Sequence, residues 1–199
     1  MSAKEYFDNA SDTWDERFLT PKLSSFLEKF VPQFGITSGQ HILDVGTGTG
    51  VLIPYLSKAV GPEGLVTAVD YSEKMVQVCK TKHSRLKNVT VQLKNVEEES
   101  FLPESFDAEV CFGVFPHLDN KQQALQNMNC ALKPCGKLVI AHALSSEEIK
   151  AHHKNASSTV KHDTLPTKDE MTKLLEQTGF TQISIEDKPG SYLCIAHKA

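Results

Sequence analysis

The chain has 199 residues, of which 40% are hydrophobic and 23% charged, with a formal net charge of −4. That length suits one domain of ~100–200 residues, the composition is not that of a disordered chain, and the negative balance gives no general attraction to nucleic acid or a membrane surface. No apolar run approaches the ~20 residues that cross a bilayer. The opening MSAKEYFDNASDTWDERF lacks the apolar stretch of a secretory signal. Five cysteines (Cys79, Cys111, Cys130, Cys135, Cys194) form no CxxC pair and are odd in number. They argue against a disulfide framework and for a reducing, cytoplasmic location.

In chain order, Thr20-Pro21 reads as a helix N-cap followed by proline, with Leu23, Phe26, Leu27 and Phe30 as the apolar stripe and Pro32 as the stop. Between residues 41 and 143, the β-branched runs HILDV, VTAVD, VTVQL, AEVCF and KLVIAHA alternate with helix-like segments. That alternation predicts βαβ units and a parallel sheet covered on both faces. Asp119 and Gln122 form a capping-box pattern before NKQQALQNMNCAL, and Thr167 and Glu170 repeat it before Met171, Leu174 and Leu175, with Gly179 as the stop. TQISIED and SYLCIAH alternate across a Lys188-Pro189-Gly190 turn, predicting a closing antiparallel hairpin. The expected fold is an open, mostly parallel α/β sheet ending in that hairpin. Residues 144–166 interrupt the alternation. In open α/β sheets ligands sit beyond the carboxyl ends of the strands, so an insert leaving that edge is placed to cover a substrate.

HILDVGTGTGVLIPYL carries the strongest motif: Asp44, Gly46, Gly48 and Gly50 lie where a strand passes into a helix starting near Val51. Glycines let the backbone turn sharply and approach a ligand. The dinucleotide fingerprint GxGxxG requires glycine where Val51 stands, and the Gly-Lys-Ser/Thr of a Walker loop is missing. Twenty residues past Gly50, the second strand ends at Asp70, a carboxylate placed to accept both hydroxyls of a ribose. Together the two features point to a nucleoside held without a pyrophosphate.

These residues resemble the class I S-adenosylmethionine-dependent methyltransferases, in their small-molecule branch, over nearly the whole chain. DVGTGTG is similar to the family's first motif, which implies that Asp44, Gly46, Thr47, Gly48 and Gly50 hold the methionine part of the cofactor. VDYSEKM resembles the second, with Asp70 on the ribose and Tyr71 beside it. LKNVEE puts Asn95 and Val96 where the family contacts adenine, departing from its usual Asp and small residue. SFDAEVCFGVFPHLDN resembles the fourth-strand motif and contributes Phe112. ALKPCGKLVIAH leads into the fifth strand, with Cys135 where the family normally has a glycine. The resemblance implies a Rossmann-like, doubly wound, seven-stranded sheet within a single domain over residues 1–199. In it, residues 1–35 supply cap helices and 144–166 an insert over the active site. It also implies Tyr6 and Trp14 as lid residues, for which anchoring of a leading helix is the structural counterpart.

The implied reaction is direct in-line displacement of the methyl group by a small-molecule acceptor, where orientation supplies on the order of 7–11 kcal/mol. A base is needed only where the nucleophile must lose a proton. No Asn-Pro-Pro-Tyr-type motif for nucleic-acid bases follows the fourth strand; CFGVFPH stands there. Eight histidines are present. His117 follows the fourth strand and His142 ends the fifth. His152, His153 and His162 lie in the insert with Asp163 and are grouped with the lid. Three readings stand for them: polar residues of a solvated cap; His117 or His142 as general base; or a divalent metal held by ligands drawn from His117, His142, His153 and His162. The thiols read as core or incidental positions, not as a substrate cage. The competing functions are a metal-assisted methyltransferase, a non-catalytic S-adenosylmethionine-binding regulator and a nicotinamide oxidoreductase.

Overall fold

The computed structural model describes residues 2–154 and 160–199. By its internal contacts the chain forms two compact units, Met1–Asn95 and Val96–Ala199.

In the first unit, α1 (Ala3–Ala10) begins at Ser2, whose hydroxyl accepts from Glu5 N at 3.2 Å while Glu5 takes the Ser2 N–H at 2.8 Å. A 3-10 turn (Ser11–Thr13) leads into α2 (Trp14–Phe18). α3 (Pro21–Phe30) starts as the sequence predicts, Thr20 Oγ1 accepting from Leu23 N at 3.2 Å with Pro21 in the first turn. Pro32 lacks an N–H and stops it; only a 3-10 turn (Val31–Phe34) follows. Then come β1 (His41–Val45), α4 (Ile53–Val60), β2 (Leu65–Asp70), α5 (Glu73–His83) and β3 (Val89–Leu93). α4 begins two residues later than expected because Pro54, which cannot donate, fits only its first turn. The strands lie parallel in the order β3-β2-β1, with Val45 opposite Val69 and Asp70 opposite Leu93. Ile42, Leu43, Ile53, Leu56, Ala68 and Cys79 are fully buried between strands and helices. This register brings the carboxyl ends of β1 and β2, and so Asp44 and Asp70, side by side.

The second unit holds β4 (Phe106–Phe112), a 3-10 turn (Phe115–His117), α6 (Lys121–Ala131), β5 (Leu132–His142), α7 (Ser146–Lys154), α8 (Lys168–Gln177), β6 (Phe180–Lys188) and β7 (Ser191–Lys198). β4 and β5 are parallel, β5 and β7 antiparallel, β7 and β6 antiparallel, in the order β4-β5-β7-β6. The hairpin turns at Pro189-Gly190 as expected, Gly190 taking φ +81°. β7 does not alternate: four of its first residues in a row are buried, because it lies between two strands with both faces covered. The cap of α6 is Asn120, not Asp119; Asn120 Oδ1 accepts from Gln123 N at 3.0 Å while its own N–H goes to Glu97. β5 starts at Leu132, five residues before KLVIAHA, and includes Cys135 at φ +60°. The Thr167–Glu170 box forms as predicted.

Within the insert, Ser145 caps α7, accepting from Glu148 N at 3.3 Å while Ser145 N donates to Glu148 Oε2 at 2.8 Å. Glu148 also accepts from Gly190 N at 2.8 Å, and Asp187 accepts from Ser146, which ties α7 to the hairpin. The part of the predicted insert at 155–159 lies outside the described residues. Among the described residues no helix is long and apolar enough to cross a membrane. The seven strands, mostly parallel with a C-terminal antiparallel hairpin, are those of the Rossmann-like α/β fold expected.

Candidate active site

In the first unit the loop after β1 is built on two buried carboxylates. Thr47 N donates to Val69 O at 3.0 Å and Gly50 N to Thr47 O at 2.9 Å, folding the loop back against β2. Thr47 Oγ1 donates to Asp44 Oδ2 at 2.6 Å. Asp70 accepts two backbone donors, Gly48 N on Oδ2 at 2.8 Å and Ser72 N on Oδ1 at 2.9 Å. Gly48 and Gly50 require glycine for different reasons. At Gly48 (φ +55°) a Cβ would enter open space, so only the left-handed backbone selects glycine. At Gly50 (φ +86°) it would also stand 2.5 Å from His83 Nε2 and 2.9 Å from Cys79 Sγ.

Burial pushes the Asp44 carboxyl up to about 7, with Asp70 adding to the rise and the Thr47 hydrogen bond opposing it. Burial likewise raises Asp70; the N–H groups of Ser72 and Gly48 pull the other way, and Asp8 adds to the rise. The acceptor oxygens of Asp70 fit the hydroxyls of an adenosyl sugar. Each Asp70 oxygen has a second lone pair for a hydroxyl, and the face of the loop over Gly48 is clear.

The N-terminal helices fasten to this loop through residues that sequence reasoning missed. Asp8 accepts from Ser72 Oγ at 2.6 Å and Lys74 N at 3.3 Å. Asp15 accepts from Thr49 Oγ1 and Lys82 Nζ, both at 2.5 Å. Tyr6 and Trp14, the expected lid residues, are half-buried and meet through Phe7, whose ring lies 5.3 Å from Tyr6, 5.7 Å from Trp14 and 6.3 Å from Tyr71. Phe7 is the hub. The only sequence signal was the acid-aromatic spacing of YFDNASDTWDERF. Gly46 is also left-handed, at φ +65°. Asn95 follows β3 half-buried.

In the second unit, Val96 is buried and its carbonyl accepts from Asn127 Nδ2 at 2.7 Å. The ring of Phe112, at the end of β4, stacks on His142 with centroids 6.3 Å apart. Leu144 N donates to His142 Nδ1 at 3.1 Å, so the proton of this imidazole is on Nε2. Burial, then the neighbouring His117, His153 and His152, push His142 down to about 3, and it stays neutral. His117 Nδ1 lies 2.7 Å from Asp163 Oδ2, and His153 Nδ1 lies 2.6 Å from the Asp163 carbonyl oxygen. The His117 and His153 rings are 4.9 Å apart. Burial works against the Asp163 carboxylate, but the hydrogen bond and charge of His117, with His153 and Lys121, hold it below its ordinary range. His153 is lowered by its own burial. Lys121 Nζ donates to Pro116 O at 3.1 Å and Leu118 O at 2.7 Å beneath this group.

Of the insert histidines, His153 thus joins His117; His152 is exposed with its ring 5.8 Å from His153, and His162 is exposed. The ligand set drawn from His117, His142, His153 and His162 is not assembled: among the described residues, no group of three His, Cys, Asp or Glu side chains is placed to hold a metal ion. Of the thiols, Cys79, Cys111 and Cys194 are buried while Cys130 and Cys135 are exposed.

A family model described as a methyltransferase domain matches residues 36–179. A demethylmenaquinone methyltransferase of Staphylococcus aureus (strain JH9) is 38% identical over 113 residues, which is 56% of this chain and 46% of that protein. The chain spans about half the length of the curated relatives it matches. Among solved structures, a SAM-dependent methyltransferase from Aquifex aeolicus superposes with a TM-score of 0.75 at 24% identity, covering 100% of both chains. The Haemonchus contortus phosphoethanolamine N-methyltransferase 2 in complex with S-adenosyl-L-methionine gives a TM-score of 0.78 at 19% identity, over 98% of this chain and 58% of that one.

Proposed function

The chain belongs to the methyltransferase-domain family, and from that premise we propose that it methylates a small-molecule acceptor bearing an ionisable proton, by in-line displacement, with His117 as the base. When bound, S-adenosylmethionine supplies an electrophilic methyl group on a sulfonium. The observation that carries the cofactor half is the clamp at β1 and β2, in which Gly48 N and Ser72 N hold the buried Asp70 carboxylate in place for a ribose. Asp44 and Thr47 brace the loop beneath. Tyr6, Phe7, Trp14 and Tyr71 form the apolar cover that keeps water out.

On the acceptor side the roles of the two predicted histidines part. His142 keeps its proton on Nε2 and is a poor base, since burial holds it neutral down to about 3; it serves as a hydrogen-bond donor stacked on Phe112. His117 donates its Nδ1–H to Asp163, which leaves Nε2 as the basic nitrogen. His117 Nε2 would take the acceptor's proton, which leaves the acceptor an electron pair for the methyl group that the bound cofactor would supply. The curated relatives named for demethylmenaquinone support a small-molecule acceptor, and the net charge of −4 suits no polyanionic partner.

The test is labelled S-adenosylmethionine with purified protein and a panel of phenols, thiols and amines, alongside melting with S-adenosylhomocysteine or a nicotinamide dinucleotide. A ligand at a hundred times its dissociation constant adds ~2.7 kcal/mol, so the expected result is a clear melting shift with S-adenosylhomocysteine alone and label on a proton-bearing acceptor. Binding with no labelled product on any acceptor would identify a regulator instead. A shift with the dinucleotide alone would overturn the cofactor assignment.

A further inference from the structure

Resting on that reading of His117, we propose that Asp163 is the positioning residue of the acceptor side, its carboxylate and its own carbonyl each taking an Nδ1–H and so fixing the tautomer of the His117 and His153 imidazoles. Two observations meet in one residue. The Asp163 carboxylate lies 2.7 Å from His117 Nδ1 and its backbone carbonyl 2.6 Å from His153 Nδ1. A carbonyl oxygen only accepts, so the His153 proton is on Nδ1; a carboxylate held ionised likewise only accepts, which puts the His117 proton on Nδ1 too. Asp163 is itself oriented by a local turn in which its N–H donates to Val160 O at 3.1 Å.

The arrangement ties the far end of the insert to the turn after β4, 46 residues earlier in the chain. It also gives the rings opposite polarity. His142 accepts at Nδ1 from Leu144 N and carries its proton on Nε2, whereas His117 and His153, their rings 4.9 Å apart, present Nδ1 to Asp163. Among the described residues, the charged and titratable groups facing this pair include Asp163, Lys121 from α6, His142 from β5 and His152 from α7. Lys121 donates to the Pro116 and Leu118 carbonyls, and the Asp163 carboxylate is the acceptor that lies against His117 Nδ1. A neutral imidazole elsewhere exchanges its proton between the two nitrogens; here one residue decides for two rings.

Long-range ¹H–¹⁵N correlation spectra of the uniformly labelled chain at pH 8, without cofactor or acceptor, read each tautomer directly. The expected wild-type spectrum has His117 and His153 as Nδ1–H and His142 as Nε2–H. Asp163→Ala should abolish the Nδ1–H preference of His117, and Asp163→Glu should restore it. His153, bonded to the backbone, keeps Nδ1–H in both variants and serves as the internal control for an intact turn. Should Asp163→Ala fail to fold, the wild-type spectrum and Asp163→Leu, which keeps bulk but has no acceptor, decide. A wild-type His117 carrying its proton on Nε2, or a His117 signal unmoved in the Ala or Leu variant, overturns the proposal. Because no methyl transfer is measured, its failure and that of the functional reading are separate results.

Discussion

The loop around Asp44 and Asp70 and the histidine group around Asp163 are built by opposite means. In the first, backbone does the holding: Asp70 is clamped by the N–H groups of Gly48 and Ser72, and the loop folds on its own amides. In the second, side chains hold one another across 46 residues of chain. A backbone-built site is tied to a short motif with demanding geometry. A side-chain site can be assembled from many sequences, so it suits the part of an enzyme that varies with the acceptor.

The sharpest way to break this comparison is to disable each half separately. His117→Ala should slow methyl transfer by about 10²–10⁴-fold while S-adenosylhomocysteine affinity, measured by calorimetry, stays the same. Asp70→Ala should do the reverse in kind, losing cofactor affinity first. Equal losses of affinity in both would erase the division of labour proposed.

Next in size come the two glycines. Gly50→Ala meets His83 and Cys79 as well as an unfavourable φ, and should destabilise the chain by about 2–4 kcal/mol in chemical denaturation. Gly48→Ala meets only the φ cost, about 1–2 kcal/mol. If the two cost the same, the packing half of the argument fails.

The buried Asp44 adds a pH dependence with a definite sign. Its carboxyl is raised in the folded chain from 3.8 to about 7, so the unfolded chain loses that proton first. Stability without cofactor should therefore fall as pH rises from about 4 to about 7 and then level off. Asp44→Asn should flatten that slope in melting curves taken across the range. The smallest effect is expected at Cys135, exposed and held at φ +60° in β5. Cys135→Gly should stabilise by roughly 1 kcal/mol, and a loss there would show that the thiol has a role the backbone does not reveal.

Local chemistry explains what could be read in advance. Caps at Thr20 and Thr167, the stop at Pro32 and the turn at Gly190 each depend on residues within four positions of one another. Reading failed by one residue where Asp119 competed with Asn120, because the Glu97 carboxylate takes the Asn120 N–H and fixes which side chain caps. It failed at β7, whose burial on both faces comes from its place between β5 and β6. It also gave no hint that Glu109, inside the strand motif AEVCF, is fully buried and without a hydrogen-bond partner among the described residues, so that burial drives its acid well above the ordinary range against the pull of Lys198.

From the amino acids alone came the α/β alternation, the glycine loop with its acid at Asp70, and the histidines worth watching, since backbone turns and periodic burial leave their mark within a few residues. Tertiary structure alone decided which histidine pairs with Asp163, that His142 is held neutral, and that Phe7, Asp8 and Asp15 fasten the N-terminal helices to the loop. Hydrogen bonds and desolvation between distant side chains depend on where the fold brings them, and that is written in no short stretch of chain.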